Sequence, residues 1–290
     1  MSKFILKMFI LFLLFYGVSG MHMEASDKAL LDSHPVTFTH VDFNTLETLV
    51  RQEYEEMQKQ CNLPPANIAV KYDSELIDTS VLAWASQNLN LQNRIWVPSL
   101  FATSETIHFT LGFNPEPPNG WHVGDCNAIR WKYDLRTVIR HEILHGIGLG
   151  SSIQYTNQWS VGIHTGGFCF PRLYDVHITD QSNQPILNGC NMVDITNKKL
   201  YVGDVELYHP SEFTSGSSLS HHNYPGYLFY YKSMPNTCMH ISKYEASMLL
   251  PLGIECSVSA ATTLEPTLSN LLILCILFLL LECDFECDFV

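Results

Sequence analysis

Residues 138–152 read VIRHEILHGIGLGSS and contain the pattern H-E-x-x-H, with His141, Glu142 and His145 at its fixed positions. Positions i and i+4 of an α-helix lie on one face, one turn apart, so the two imidazoles can bind the same metal ion. Glu142 leaves the same turn, where its carboxylate can accept a proton from water next to the metal. The pattern therefore predicts a helix that binds Zn²⁺ through His141 and His145, with Glu142 as the general base.

The residues around this pattern favour a helix of limited length. Asp134 has the short polar side chain of an N-cap residue. Apolar residues follow at helical spacing, at positions 135, 138, 143 and 147. Glycines at positions 146, 148 and 150 predict the end of the helix, because they make its continuation unfavourable. A chance match among core or surface residues is the alternative, and a capped apolar helix argues against it.

The two ends of the chain carry targeting patterns. Residues 1–20 combine two lysines, an apolar run and a close on small residues, which indicates a signal peptide; a retained anchor is the alternative. Near the other end, small residues at 259–261 precede a polar spacer and the apolar run LLILCILFLLL. This order predicts a glycolipid-anchor (GPI) signal within residues 260–290, with possible attachment to a membrane. The acidic ending ECDFECDFV departs from such signals, so a plain tail is the alternative.

The mature part, residues 21–259, is expected to form one secreted or extracellular globular domain. Hydrophobic residues make up 46% of the chain and charged residues 16%, which argues against disorder. The net charge of −13 argues against a nucleic-acid partner. Of nine cysteines, three lie in the tail, and the remaining six predict three disulfides of undetermined pairing. The six are Cys61, Cys126, Cys169, Cys190, Cys238 and Cys256.

Hydrophobic periodicity gives a coarse order of elements. A helix is predicted over residues 43–59, with Asn44 as its cap, and a closing helix over residues 240–252. Strands are predicted over residues 36–40, 67–72, 94–97 and 105–113, the last of them half-exposed. Residues 151–235 are rich in Gly, Asn, Ser and Pro and show few helical patterns.

A catalytic zinc usually has three protein ligands, so the H-E-x-x-H pattern leaves one to be found. In metzincin proteases the motif continues with a glycine and then a third histidine. Here Gly148 fits, but Ser151 stands at the histidine position, and a hydroxyl is a poor substitute for an imidazole. The candidates further along the chain are His164, His177, His209, His221 and His222.

His221 is the preferred candidate, because it follows the small residues of the segment GSSLSHH at 216–222. It lies 76 residues after His145 and precedes the pair Met234-Pro235. In this respect the chain resembles the leishmanolysin family of metzincin zinc metalloproteases. In that family a long insertion precedes a small-residue segment with the third histidine, and a Met-Pro turn beneath the metal comes next. The features carry over onto His141, Glu142, His145, Gly148, His221 and Met234, with His222 and a competing Met239 as departures.

The resemblance implies an α+β metzincin fold, with a twisted mixed sheet, a zinc helix and an irregular lower subdomain. It implies a zinc-dependent endopeptidase that acts on protein or peptide substrates, with Zn²⁺ bound by His141, His145 and His221. From the family layout, the strand over residues 106–112 is expected to pair with extended substrate. Two alternatives remain: a zinc protease with Glu206 as a carboxylate third ligand, and a non-enzymatic, disulfide-bonded surface adhesion protein with a structural zinc helix.

Overall fold

A long amphipathic helix opens the part of the chain that the computed structural model describes, which is residues 41–101, 107–155, 158–161, 163–165 and 168–258. These residues belong to one compact unit, Thr39–Val290. Helix α1 (Phe43–Gln60) confirms the predicted helix. Its cap is Asp42 rather than Asn44, because the Asp42 carboxylate accepts a hydrogen bond from the Thr45 N–H at 2.9 Å. The predicted strand at 36–40, the signal peptide and the C-terminal tail lie outside the described residues.

Five strands follow α1: β1 (Ile68–Tyr72), β2 (Ala83–Gln87), β3 (Leu89–Gln92), β4 (Ile95–Pro98) and β5 (Phe109–Phe113). Strands β3 and β4 form an antiparallel pair of their own. The other three form a sheet in the order β1-β5-β2, with β1 parallel and β2 antiparallel to β5. The strands at 67–72 and 94–97 are thus confirmed to within a residue.

Strand β5 differs from its predicted character. It is the central strand and is buried along most of its length, not half-exposed. Its predicted role as the strand that pairs with substrate is wrong, because β1 and β2 already occupy both of its hydrogen-bonding edges.

The predicted metal-binding helix is α2 (Leu135–Ile147), which follows two short parallel strands, β6 (Trp121–His122) and β7 (Tyr133–Asp134). Asp134 caps it, accepting hydrogen bonds from the Thr137 N–H at 2.8 Å and the Thr137 hydroxyl at 2.7 Å. The helix stops at Gly148, whose φ of 136° suits glycine. It packs on α1, β2 and β5. Gly146 allows the close approach to the sheet, since a Cβ there would lie 2.4 Å from the Phe109 ring.

The rest of the described chain is largely irregular, as predicted, and its strands are two or three residues long. Its short strands are β8 (Gln154–Tyr155), β9 (Trp159–Ser160), β10 (Ile163–Thr165), β11 (Phe168–Phe170), β12 (Ile178–Asp180), β13 (Leu187–Asn188), β14 (Asn191–Met192), β15 (Leu200–Val202) and β16 (Val205–Glu206). The closing helix α3 (Lys243–Leu249) is shorter than predicted. It begins after the Ser242 cap and passes into a 3-10 turn, Leu250–Leu252, that ends at the left-handed Gly253.

Three disulfides link the six cysteines outside the tail: Cys61–Cys256, Cys126–Cys238 and Cys169–Cys190. Disulfides fit an extracellular protein, as the sequence predicts. Within the described ranges, the helices lack the length and apolar character needed to cross a membrane. The molecule is a mixed α+β protein with small sheets and few helices in its described part.

Candidate metal centre

Three imidazoles meet at the C-terminal half of α2. The Nε2 atom of His221 lies 3.1 Å from that of His141 and 3.1 Å from that of His145. His141 and His221 are buried, at 8% and 5% exposed, and His145 is half-buried. Residues from opposite halves of the sequence thus form one group that could hold a metal ion.

The protons on these rings are placed by backbone carbonyls. His141 Nδ1 lies 2.9 Å from the Leu228 carbonyl oxygen, and His145 Nδ1 lies 2.7 Å from that of Leu149. His221 Nδ1 lies 2.9 Å from the Ser217 carbonyl oxygen. A carbonyl oxygen only accepts, so each neutral ring donates from Nδ1 and carries its lone pair on Nε2.

The Nε2 lone pairs of His141 and His145 each lie 3.1 Å from that of His221, and lone pairs this close repel one another unless a cation lies between them. Two Zn–N bonds of about 2.0–2.1 Å at a tetrahedral angle would place the nitrogens roughly 3.3 Å apart, close to the observed separation. Imidazole nitrogen suits zinc, and also copper, iron and nickel. The residues therefore fit a transition-metal ion, with three protein ligands and one position left open.

Burial strongly affects the pKa values of the two α2 histidines in this group. Desolvation lowers the pKa of His141 to about 4 and that of His145 to about 3. The pKa of His221 also falls well below its usual value, first because of burial and then because of its two neighbours. The site therefore stays neutral and ready for a cation well below pH 7.

Glu142 follows His141 directly in α2 but is not a member of the histidine group. Its side chain is 7% exposed, and burial raises its pKa to about 8. A divalent cation nearby would favour the ionised form and oppose this shift. Burial raises the pKa of this carboxyl group and a cation would lower it, so its pKa is suited to taking up and releasing a proton.

Main-chain hydrogen bonds to the segment that follows β16 position His221. The Tyr208 N–H donates to the His221 carbonyl at 2.8 Å, and the Leu219 N–H donates to the Tyr208 carbonyl at 2.8 Å. Ser151, which stands where the metzincin pattern has its third histidine, has another role here. Its N–H donates to the Ser220 hydroxyl at 3.1 Å, so the turn after α2 holds the segment that brings the third imidazole.

The side chain beneath the imidazoles is Phe229 and not Met234. The fully buried Phe229 ring lies with its centroid 4.7–5.0 Å from those of His141, His145 and His221. Met234 is 40% exposed, so the predicted methionine turn beneath the metal is wrong for this residue. The physical reason is that the main chain at 228–229 already occupies that place, with the Leu228 carbonyl on the His141 ring.

Three other sequence candidates, Glu206, His209 and His222, have partners elsewhere. Glu206 accepts a hydrogen bond from Lys199 Nζ at 2.9 Å and is outside the metal group, so the carboxylate alternative loses its support. His209 Nδ1 bonds to the Lys198 carbonyl, and His222 Nε2 bonds to Glu245. A second group, Cys126, Cys238 and His240, has its two sulfurs joined in a disulfide and so offers no thiolate.

Sequence reasoning missed the partners that orient the ligands. Leu149, Ser217 and Leu228 act through main-chain carbonyls, which no motif records. Phe229 lies in unremarkable sequence. Two signals were available: the double histidine at 221–222, and the S-x-x-E pattern at 242–245, which marks Glu245 as part of a capping box.

Comparison of the chain with protein-family models, with curated proteins and with solved structures found no match.

Proposed function

We propose that this protein is a secreted or surface-anchored zinc-dependent endopeptidase, with Zn²⁺ held by His141, His145 and His221. One observation carries the proposal: three imidazoles bring their Nε2 atoms together, and the buried carboxylate that follows His141 in α2 is not a member of the group. A structural zinc site takes four protein ligands, whereas a catalytic site has three and an open position. The three-histidine group supports the catalytic alternative over a zinc helix kept only for structure.

A zinc ion in this site would supply Lewis acidity, lowering the pKa of water and polarising a carbonyl oxygen. The chain's own residues would do the rest. Glu142 accepts a proton from the attacking water and returns it to the leaving amine, which lets one group serve as base and then as acid. The Leu149, Ser217 and Leu228 carbonyls keep the imidazoles in the tautomer that binds the metal.

The strand available for substrate is β2 rather than β5. Within the described residues, β2 pairs with β5 on one side only. Its last residue, Gln87, donates from its amide to the His145 carbonyl, so this edge adjoins the metal helix. We infer that an extended peptide adds to β2 and places its scissile bond over the metal centre.

The resemblance to the leishmanolysin family of metzincins is part of this proposal. It is supported by the α+β class, by the end of α2 at Gly148, and by a third histidine that follows a long irregular segment. The glycolipid anchor also remains a proposal, since residues 259–290 lie outside the described chain.

The test is hydrolysis of a generic unfolded protein by the metal-loaded full chain. Glu142→Ala should retain zinc and fold but lose about 10²–10⁴-fold in rate, because general-base assistance is removed. His221→Ala should lose both zinc and activity, whereas Glu206→Ala should keep both.

Zinc content, measured by elemental analysis, separates these outcomes. Hydrolysis by Glu142→Ala at the wild-type rate would refute the mechanism. A wild-type chain that binds zinc without any hydrolysis would favour the non-enzymatic surface protein instead.

A further inference from the structure

A buried polar group behind the metal centre has no role in the proposed chemistry. Glu245, on α3, is fully buried, and so is its partner His222. His222 Nε2 lies 2.9 Å from Glu245 Oε1. The chain places this carboxylate in the core, where a charge is costly unless it is fully hydrogen-bonded.

Four donors satisfy the Glu245 carboxylate. Oε1 accepts from the His222 ring at 2.9 Å and from the Phe229 N–H at 2.9 Å. Oε2 accepts from the Ser242 N–H at 2.7 Å and from the Ser242 hydroxyl. Burial alone would raise the pKa of Glu245, but the hydrogen bonds outweigh it and hold the pKa below its usual value. The two oxygens thus bind different partners. Oε2 completes the capping box of α3, and Oε1 binds the two donors that lie next to the metal centre.

The two donors on Oε1 belong to the two segments that build the metal centre. His222 follows the ligand His221 directly. Phe229 packs its ring on all three imidazoles, and Leu228 before it gives its carbonyl to His141. The segments also meet each other, since the His222 N–H donates to the Phe229 carbonyl at 3.3 Å.

The His222 ring is fixed at both nitrogens. Its Nε2–H donates to the carboxylate, and its Nδ1 accepts from the Tyr224 N–H at 3.3 Å. A larger apolar residue at 222 would fill the space but could not bond to Glu245.

We propose that Glu245 is a positioning residue for the metal centre, which sets His221 through His222 and sets the His141 ring through the 228–229 segment. The inference rests on the proposed function, because it concerns the same metal site. The hydrogen bonds of the Glu245 carboxylate go to His222, Phe229 and Ser242, so its contact with the metal centre runs through His222 and Phe229. Its removal should weaken metal binding and alter the geometry at the metal, beyond what a loss of stability would cause.

Glu245→Gln is the informative variant. Glutamine at this place in a capping box can still accept from Ser242 with its oxygen. Its amide nitrogen then faces the two donors, from His222 and Phe229, so the contact on the metal-centre side is lost. Ser242→Ala is the matched control, because it weakens the helix cap by about 1 kcal/mol and leaves Oε1 untouched.

Zinc affinity of the full chain would be measured by competition with a chromogenic chelator, alongside the visible spectrum of the cobalt-substituted protein. Glu245→Gln should bind zinc roughly 10–100-fold more weakly, the range for outer-shell partners of metal ligands. It should also shift the cobalt bands. Ser242→Ala should leave affinity and spectrum close to wild type.

A second pair of variants tests the same contact from the His222 side, in case Glu245→Gln does not fold. His222→Phe fills the space without a donor, and His222→Gln keeps an amide donor for Glu245. The first should bind zinc more weakly and the second should recover affinity.

The outcomes separate the two proposals. If Glu245→Gln loses no more affinity than Ser242→Ala, or if the two His222 variants bind equally, the positioning role is refuted while the metal site stands. If the wild-type chain binds no zinc, the proposed function fails, and the positioning role fails with it.

Discussion

At the scale of the residue, each imidazole of the metal centre has a carbonyl partner of its own. The Leu228, Leu149 and Ser217 carbonyls hold His141, His145 and His221 in one tautomer. Because the rings are also buried, their pKa values are lowered and protons compete poorly for the lone pairs. Burial thus prepares the site for a metal ion before one arrives.

This burial predicts an acid-sensitive metal-free protein. In the unfolded chain histidines protonate near pH 6.5, whereas in the folded chain His141 and His145 do so only near 4 and 3. Between these values the unfolded state binds more protons, so stability rises with pH and is lost as the pH falls from about 6.5 towards 4. Urea midpoints of the metal-free protein from about pH 7 to about pH 4.5 should fall accordingly.

The control for that measurement is the double variant His141→Gln and His145→Gln, whose side chains do not titrate. Its midpoint should depend less on pH over the same window. A midpoint that is flat in the wild type, or equally steep in the double variant, would contradict the expected linkage.

At the scale of the element, the C-terminal end of α2 contributes to the metal centre, as does the helix face that carries the two histidines. Gly148 has φ 136° and ψ −7°, and the next residue supplies the carbonyl that orients His145. A Cβ at this position would also lie 3.1 Å from Leu252 and from Pro98. The glycine that stops the helix therefore also helps to orient His145, a candidate metal ligand.

Gly148→Ala should cost about 1–3 kcal/mol of stability from backbone strain and should also weaken metal binding. Gly189→Ala is a matched control, since Gly189 also has a positive φ of 62° but nothing within 4 Å of the added Cβ. It should lose stability without loss of metal affinity. Thermal melts and chelator competition on both variants check this, and an equal effect on affinity would rule out the link between the turn and the ligand.

At the scale of the whole molecule, disulfides join regions that are distant in sequence. Cys61–Cys256 closes 195 residues, whereas Cys169–Cys190 closes 21. The first also lies where the two chain segments exchange backbone hydrogen bonds, between Asn62 and Glu255 and between Ser257 and Gln60. It therefore ties the end of helix α1 to the end of the described chain.

Replacing Cys61 and Cys256 by alanine should destabilise the protein more than replacing Cys169 and Cys190. Under the chain-entropy account the two losses of stability differ by about 2 kcal/mol, because Cys61–Cys256 closes the longer loop in the unfolded chain. Denaturant unfolding of the two double variants, compared with the wild type, measures it. A greater loss for the short loop would show that local packing outweighs loop closure here.

The sequence by itself determined the local features of this protein. The H-E-x-x-H helix, its Asp134 cap and its glycine end follow from contacts within a few residues, and so do helix α1 and the strand at 68–72. Helical spacing alone places His141 beside His145. The choice of His221 needed the resemblance as well, since spacing along the chain could not separate it from four other histidines.

Only the tertiary structure decided the contacts between distant segments. Whether a strand is central or at an edge depends on which strands return to it, so the exposure of β5 could not be read from its alternation. Main-chain carbonyls carry no side-chain signature, so the partners of the imidazoles were invisible in the sequence. The same holds for the positions of Phe229 and Glu245, which reach the metal centre because the irregular second half folds back onto α2, bringing together groups 80 or more residues apart.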